Sequence, residues 1–428
     1  MSRVNVLAAI CMASASVAPG QTTDAVDVRS ALDAAANQMN LGDPDRALAE
    51  LGKVEAVEPR NPWLHYLRGL AHHQLGEPYQ AMESFDRAAE ELLALGSPDA
   101  ELSSAIEAAR EKSRRQVFSL SLRLGLFYDS NVTFSGGGTT GEFISGEEDG
   151  RFGTRVQLDF APIKNRMEEL AWGLRLTDVW NFSVEDYNEQ DYGGYVRYTR
   201  RFEERWSADF VYDYDSYLLG NDSFLSNHGL SPRLNYHWPI RDSEIRLDTT
   251  SLAYRIEARD FLFETASELD RDGFANSLEV TQSVHLGRGL DRNRFNELFA
   301  GYRVEYVATQ GTEFDRLGNS VFVEFALPLV NPLLPDRECT LNLHADWQFD
   351  DYRNDSVYDF KGRKREDVIT SVMAVLSQQV FHEARRGELI FHAILGWSDY
   401  ESNVETADLG HPFDYDKIVA GFQIEWRF

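Results

Sequence analysis

The run Phe118, Ser119, Leu120, Ser121, Leu122, Arg123, Leu124, Gly125, Leu126, Phe127, Tyr128, Asp129 decides how most of the chain is read. Leucines and aromatic rings recur at every second position, with Ser119, Ser121, Arg123, Gly125 and Asp129 between them. A period of two places one apolar and one polar face on a single strand. The chain closes in the same way. Ile418, Ala420, Phe422, Ile424, Trp426 and Phe428 alternate with Val419, Gly421, Gln423, Glu425 and Arg427.

Between these ends the alternation returns often enough to predict about fourteen strands. Their centres fall near Leu122, Val156, Leu174, Arg197, Phe210, Leu234, Ser251, Val280, Tyr302, Phe325, Leu343, Met373, Ala393 and Phe422. Strand seven slips phase between Leu247 and Leu252, which predicts a bulge. Long connections (Ser135–Gly150, Phe263–Gly273, Arg353–Glu366, Glu401–Asp414) alternate with short ones (Lys164–Glu168, Glu203–Arg205, Arg241–Ser243, His382–Gly387). Short turns at one end and long loops at the other are the pattern of outer-membrane barrels. An even strand count returns both ends of the barrel to the same side. A soluble β-sandwich is the rival reading, but its hairpins need no such parity. The closing strand with its final Phe resembles the terminal strand that barrel-assembly machinery reads. Phe422, Ile424, Trp426 and Phe428 are therefore the candidate assembly terminus.

Upstream, residues 24–116 are rich in Ala, Leu, Glu and Arg at helical spacing. The set Ala35, Gly42, Pro44, Ala47, Leu51 and Val54 recurs 34 residues later as Gly69, Gly76, Pro78, Ala81, Phe85 and Ala88. That period and those small residues resemble tetratricopeptide repeats, each a helix–turn–helix. Ala47, Leu51, Gly69, Gly76, Ala81, Phe85 and Ala88 are the expected packing residues. Arg68 and His72 depart from the repeat pattern, and Pro98–Gln116 reads as a capping helix. The adjacent pair His72-His73 points two ways on a helix and makes a poor metal site. Before this domain, Arg3 followed by the apolar stretch Val4–Ala18 and the small residues Ala13-Ser14-Ala15 predict an export signal over 1–18. Cleavage would remove Cys11 and leave Cys339 as the mature chain's cysteine, so no internal disulfide is expected. The fold class is thus α+β multidomain: a signal (1–18), an α-helical tetratricopeptide-like solenoid (24–116) and a transmembrane antiparallel β-barrel (117–428).

Composition narrows the function. The 428 residues carry 42 Lys plus Arg against 70 Asp plus Glu, a net charge of −28, which argues against nucleic acid as a partner. No apolar run of roughly 18 residues follows the N-terminus, so no helical membrane span is expected; barrel strands escape that test. Aromatic residues make up 12%. Tyr128, Trp172, Tyr198, Trp206, Tyr214, Trp238, Tyr254, Trp347, Trp397 and Trp426 fall mostly near predicted strand ends, as an interfacial girdle requires.

If the apolar set faces lipid, the alternate set faces the lumen. It carries Arg123, Arg155, Arg175, Arg197 and Arg233 on strands one to four and six. It carries Asp209, Asp213, Glu279, Glu305, Glu324, Asp346 and Asp350 on strands five and eight to eleven. This division predicts either a transverse field across a water-filled pore or a paired network that stabilises a narrow lumen. No catalytic set, P-loop, zinc spacing or dinucleotide fingerprint stands out. The Gly136-Gly137-Gly138 run reads as a loop tip. No enzyme activity, metal or cofactor is expected.

Three short texts suggest a family: Tyr128-Asp129-Ser130-Asn131-Val132 after the first strand, Arg365-Glu366-Asp367 before the twelfth, and Ser402-Asn403-Val404 with Phe413-Asp414-Tyr415-Asp416-Lys417 in the last hairpin. Together they resemble the barrels of surface lipoprotein assembly modifiers, which join periplasmic tetratricopeptide repeats to a fourteen-stranded barrel. The resemblance implies a protein of the Gram-negative outer membrane, its helices in the periplasm, that translocates or assembles surface lipoproteins or proteins. Implied partners are outer-membrane lipids, the barrel-assembly machinery and a periplasmic protein or lipoprotein client. Exopolysaccharide or solute export porins share the two modules and form the second reading; sugar passage there calls for inner aromatic residues, most of which this sequence places elsewhere. A structural anchor that recruits periplasmic partners is the third.

Overall fold

The computed structural model describes residues 27–96, 99–132, 147–203, 205–239, 243–262, 267–288, 294–331, 334–335, 337–383, 387–405 and 413–428. The expected signal and Gly136-Gly137-Gly138 lie outside them, as do parts of the connections at 135–150, 203–205, 241–243, 263–273, 382–387 and 401–414. The chain divides into two compact units.

The first is helical: α1 (Val28–Asn40), α2 (Pro44–Glu55), α3 (Pro62–Gln74), α4 (Pro78–Ala94) and α5 (Ala100–Arg115). Its two leading turns are built alike, 34 residues apart. Gly42 and Gly76 adopt φ of +79° and +73°, a conformation that a side chain disfavours. At each turn the next backbone N–H reaches back to close the helix, Asp43 to Gln38 and Glu77 to His72. Pro44 and Pro78 then open the following helix, where a missing N–H leaves nothing unsatisfied. Asp27, Asp43, Asn61 and Asp99 cap four of the five helices through their side chains.

Ala47, Leu51, Ala81, Phe85 and Ala88 are fully buried in one core. A Cβ on Gly69 would overlap the Phe85 ring, so the small residue is what lets α3 and α4 close. Leu102 and Ile106 bring α5 into the same core. His72 and His73 face different partners, Glu77 at 2.7 Å and the Ser113 hydroxyl at 2.9 Å. Burial holds the His73 imidazole below its ordinary pKa, with Lys112 adding to the effect.

The second unit is a closed antiparallel barrel. Its strands are β1 (Phe118–Asp129), β2 (Asp149–Lys164), β3 (Glu168–Asn181), β4 (Glu189–Arg201), β5 (Trp206–Leu219), β6 (Asp222–His237), β7 (Ile245–Phe261), β8 (Gly273–Arg288), β9 (Phe295–Thr309), β10 (Arg316–Val330), β11 (Glu338–Asp355), β12 (Lys364–Glu383), β13 (Gly387–Ser402) and β14 (Tyr415–Arg427). All fourteen predicted centres fall inside them. Each strand pairs with its sequence neighbours, and β1 closes on β14 from Ser121↔Arg427 to Asp129↔Val419. The phase slip in β7 is a register shift between Leu247 and Thr250.

Two expectations about connections change. β5 and β6 meet through Gly220-Asn221 alone, both at positive φ, the geometry of a two-residue hairpin on the side expected to carry long loops. The β11–β12 connection is shorter than 353–366, because β11 runs to Asp355 and β12 starts at Lys364. Strand pairing there continues through charged residues that carry no apolar period.

Candidate functional site

The barrel wall separates two chemistries. Leu124, Leu126, Leu174, Val196, Phe210, Leu234, Val280, Leu343, Leu395, Phe422, Ile424 and Trp426 are exposed on its outside. Tyr128, Trp172, Tyr214, Trp238, Tyr254, Trp347 and Trp397 are exposed on that face too. Trp206, Tyr236 and Trp238 cluster at one end of the wall, centroids 4.9 and 5.0 Å apart, the first pair tilted and the second edge-to-face. Trp426 stacks on Phe428 at 5.2 Å. Tyr192, Tyr254 and Tyr302 give their hydroxyls to polar side chains on adjacent strands, which leaves their ring bodies outward.

The opposite face of each strand holds the predicted charges. Arg123 donates to Glu425 at 3.1 Å, Arg155 to Gln157 at 3.1 Å, and Arg175 to Asp191 at 3.0 Å and Asp215 at 2.5 Å. Arg123 and Arg175 both act electrostatically on Arg155, as do Asp191 and Glu425, so these groups share one region. Arg197 stands on the same face of β4, opposite Val211. Asp209 accepts from Thr199 and Asn235 at 2.7 and 2.8 Å. Arg233 lies 3.8 Å from Glu279, which Arg303 approaches to 3.0 Å. Glu324 lies 3.4 Å from His344, and Asp346 shares their face opposite Phe322.

A cationic wall facing an acidic one is not what forms. Asp129, Asp159, Asp191, Asp215 and Glu425 sit among the arginines, while Arg255, Arg259, Arg303, Arg316 and Arg365 sit among the acids. Asp213 does not serve the arginine ladder; it takes both amino groups of Arg255 at 2.8 and 2.7 Å. The transverse field is therefore replaced by interleaved pairs, since buried charges need local partners. Arg255 follows the β7 bulge and Arg365 lies in a stretch read as loop, so neither joined the predicted set.

The three texts singled out above meet at the loop end of the barrel. Asp129, fully buried, binds Arg151 at 2.9 Å and Lys417 at 3.0 Å. Asn403 pairs with the Glu366 backbone in both directions and donates to the Lys364 carbonyl. Arg365 chelates Asp367 and lies 3.9 Å from the Phe413 ring and 4.7 Å from that of Tyr352. Val132 and Val404 are buried beside them. Tyr352, Tyr400 and Tyr415 also face inward here.

On the helical unit, Pro59, Pro62, Trp63, Leu92, Leu95 and Leu102 line a groove of about 600 Å³, with Arg60 and Asp99 at its rim. Among the described residues no group of three His, Cys, Asp or Glu side chains is placed to hold a metal. No helix among them is long and apolar enough to cross a membrane.

No protein-family model matches the chain, and no curated protein matches it. Solved structures do resemble it in part. Acinetobacter baumannii OccAB2 is 9% identical, with 73% of this chain and 98% of that one covered and a TM-score of 0.37. Pseudomonas aeruginosa OpdL is 11% identical over 73% and 98%, with a TM-score of 0.36. A bacterial polysaccharide outer membrane secretin is 11% identical over 72% and 98%, with a TM-score of 0.35. With TM-scores this low the likenesses are loose, and the fold rests on the strand pairing itself.

Proposed function

We propose that this chain spans the outer membrane of a Gram-negative bacterium and translocates or assembles surface lipoproteins or proteins across it. The observation that carries the membrane placement is the barrel wall, apolar and aromatic outside and ion-paired inside. Such a wall is stable only with hydrocarbon on one side and water on the other. The client reading is supported by the helical unit. Its apolar groove, with Leu95 63% exposed, suits a peptide or acyl chain, which a simple solute pore would not need. In this reading the helices stand in the periplasm and hand the client to the barrel, and the repeats are of the tetratricopeptide kind. Outer-membrane lipids and the barrel-assembly machinery are its other partners, and no catalysis is assigned.

The test is surface exposure. Deletion of the gene, or Leu95→Glu with the barrel still assembled, should reduce protease-accessible lipoproteins on intact cells. An unchanged lipoprotein surface in both strains would overturn the client reading. A second reading, an export pore for solute or polymer, is favoured by the inner charges that stay wet: Arg233, Arg303, Glu324 and Arg427 keep about half their side-chain surface exposed. Steady conductance of the purified barrel in a planar bilayer, with an unchanged lipoprotein surface, would support it.

A further inference from the structure

Four successive connections at the loop end of the barrel bond to one another, those of β7–β8, β9–β10, β11–β12 and β13–β14. Gln310 and Gly311 give their backbone N–H groups to the carbonyls of Asp272 and Asp270, which joins the first connection to the second. Glu313, 3% exposed, joins the second to the third; it accepts from the Ser356 hydroxyl at 2.7 Å and the Val357 N–H at 2.8 Å. Asp359, also buried, joins the third to the fourth, its Oδ1 accepting from the Glu405 N–H at 3.0 Å. The Phe360 N–H returns to the Glu405 carbonyl at 3.1 Å, and Lys361 pairs with the Glu405 carboxylate.

The same connections turn inward. Arg271 lies 4.2 Å from the Phe314 ring and 5.7 Å from that of Phe261. Phe413 reaches Arg365 at 3.9 Å and meets the Tyr358 ring edge-on at 5.7 Å. Arg271, just ahead of β8, acts electrostatically with Arg365 of β12 and with Tyr352 and Tyr358. Along the wall β8 and β12 are four strand spacings apart, about 19 Å. Side chains that start so far apart share one region by reaching inside the rim, so the connections lie across the mouth on the β7–β14 side.

Little apolar burial holds them there. Among the described residues of these connections, Val404 and Phe413 are the buried apolar side chains, beside the buried polar Glu313, Ser356 and Asp359. A segment fixed mainly by hydrogen bonds, with few apolar contacts, opens at a lower free energy than the strands beneath it. Its bonds also run in series, from Asp270 through Glu313 and Asp359 to Glu405, so release of one connection loosens the next.

We propose that these four connections are a gate: one folded unit that closes the β7–β14 half of the mouth and opens when the bonds to Glu313 and Asp359 let go. The gate does not depend on which client the helical groove takes, and an altered lipoprotein surface tests that reading separately.

Two measurements on the full-length protein test the gate, conductance in a planar bilayer and hydrogen exchange by mass spectrometry in lipid nanodiscs. The variants are Glu313→Ala, Phe413→Ala and Asn221→Gly, the last in the β5–β6 turn outside the gate. Heat-modifiable migration establishes that each barrel is folded. Glu313→Ala removes the acceptor of two hydrogen bonds, and Phe413→Ala removes a ring while leaving the Arg365–Asp367 pair intact. Both should raise steady conductance severalfold, whereas Asn221→Gly should stay at the parent's level. Phe413→Ala should also speed exchange at Ser356 and Val357 about tenfold, although Phe413 does not bond to either, because the unit opens as one. The proposal is overturned if conductance is the same in all four proteins, if Asn221→Gly raises it as much as Glu313→Ala does, or if exchange at Ser356 and Val357 ignores Phe413→Ala.

Discussion

Arg155 and Arg175 are neighbours on the same inner wall, yet their removal should have opposite consequences. Arg175 donates to two carboxylates, Asp191 and Asp215. Asp215 keeps only 13% of its side-chain surface, so Arg175→Ala leaves it with little water to replace the guanidinium. Breaking a buried pair costs about 3–5 kcal/mol. Arg175 is itself one-third exposed, and that screening lowers the expected loss to ~2–4 kcal/mol. Arg155 instead donates to the neutral Gln157, has an unpartnered Nε, and stands between Arg123 and Arg175. Arg155→Ala removes repulsion together with one hydrogen bond, so its folding free energy should stay within ~1 kcal/mol of the parent. Urea unfolding of the barrel in lipid vesicles, followed by tryptophan fluorescence, measures both. Equal destabilisation by the two substitutions, or none by Arg175→Ala, would refute the pairing scheme. The inward register that places these arginines on one face would then need revision.

Three further outcomes are expected. Phe428→Asp puts a charge beside Trp426 at the end of the barrel's closing strand, where a lipid-facing charge costs up to about 1 kcal/mol; it should reduce heat-modifiable barrel recovered from outer membranes, and undiminished recovery would remove the terminus from the assembly signal. Gly69→Ala forces α3 away from the Phe85 ring and should destabilise the helical unit by ~1–3 kcal/mol, read as faster amide exchange in α3 and α4 than in the parent. His73 is held neutral by burial, so the unfolded chain takes up a proton first; the helical unit should be fully stable above about pH 6.5 and weaken as pH falls from there. Amide exchange in α3 and α5 at pH 7.5 and 5.5 checks this, and His73→Gln should flatten the difference.

Where a strand has one apolar and one polar face, the sequence is readable. Leu122, Leu174 and Phe422 mark their strands because each has an apolar neighbour two residues away and a polar one beside it. Even the β7 bulge shows, as a change of phase between Leu247 and Leu252. Beyond the apolar band both faces of a strand meet water and the period disappears. Residues 353–355 and 364–366 therefore read as loop while lying in β11 and β12. The lumen was legible as a set of inward charges but not as a set of partners. Alternation fixes which way Arg175 points, whereas only the stagger between strands brings it to Asp191 and Asp215. The same limit hid the inward tyrosines, since Tyr400 and Tyr415 meet only through the register of β13 on β14, and Tyr352 stands two strands away on β11. In the helical unit the 34-residue repeat shows in the backbone, since Gly42 and Gly76 make the same turn; Gly76, expected as a packing residue, serves that turn instead, with open space where a Cβ would stand.

The central claim is that the barrel crosses the outer membrane with its helical unit on the inner side. Cysteines introduced at Val357 in the β11–β12 loop and at Gly52 on α2, both exposed whereas the native Cys339 is buried, test it with a membrane-impermeant maleimide. On intact cells Val357→Cys should label and Gly52→Cys should not; both should label once the outer membrane is broken. Labelling of Gly52→Cys on intact cells, or protection of Val357→Cys there, would contradict the account.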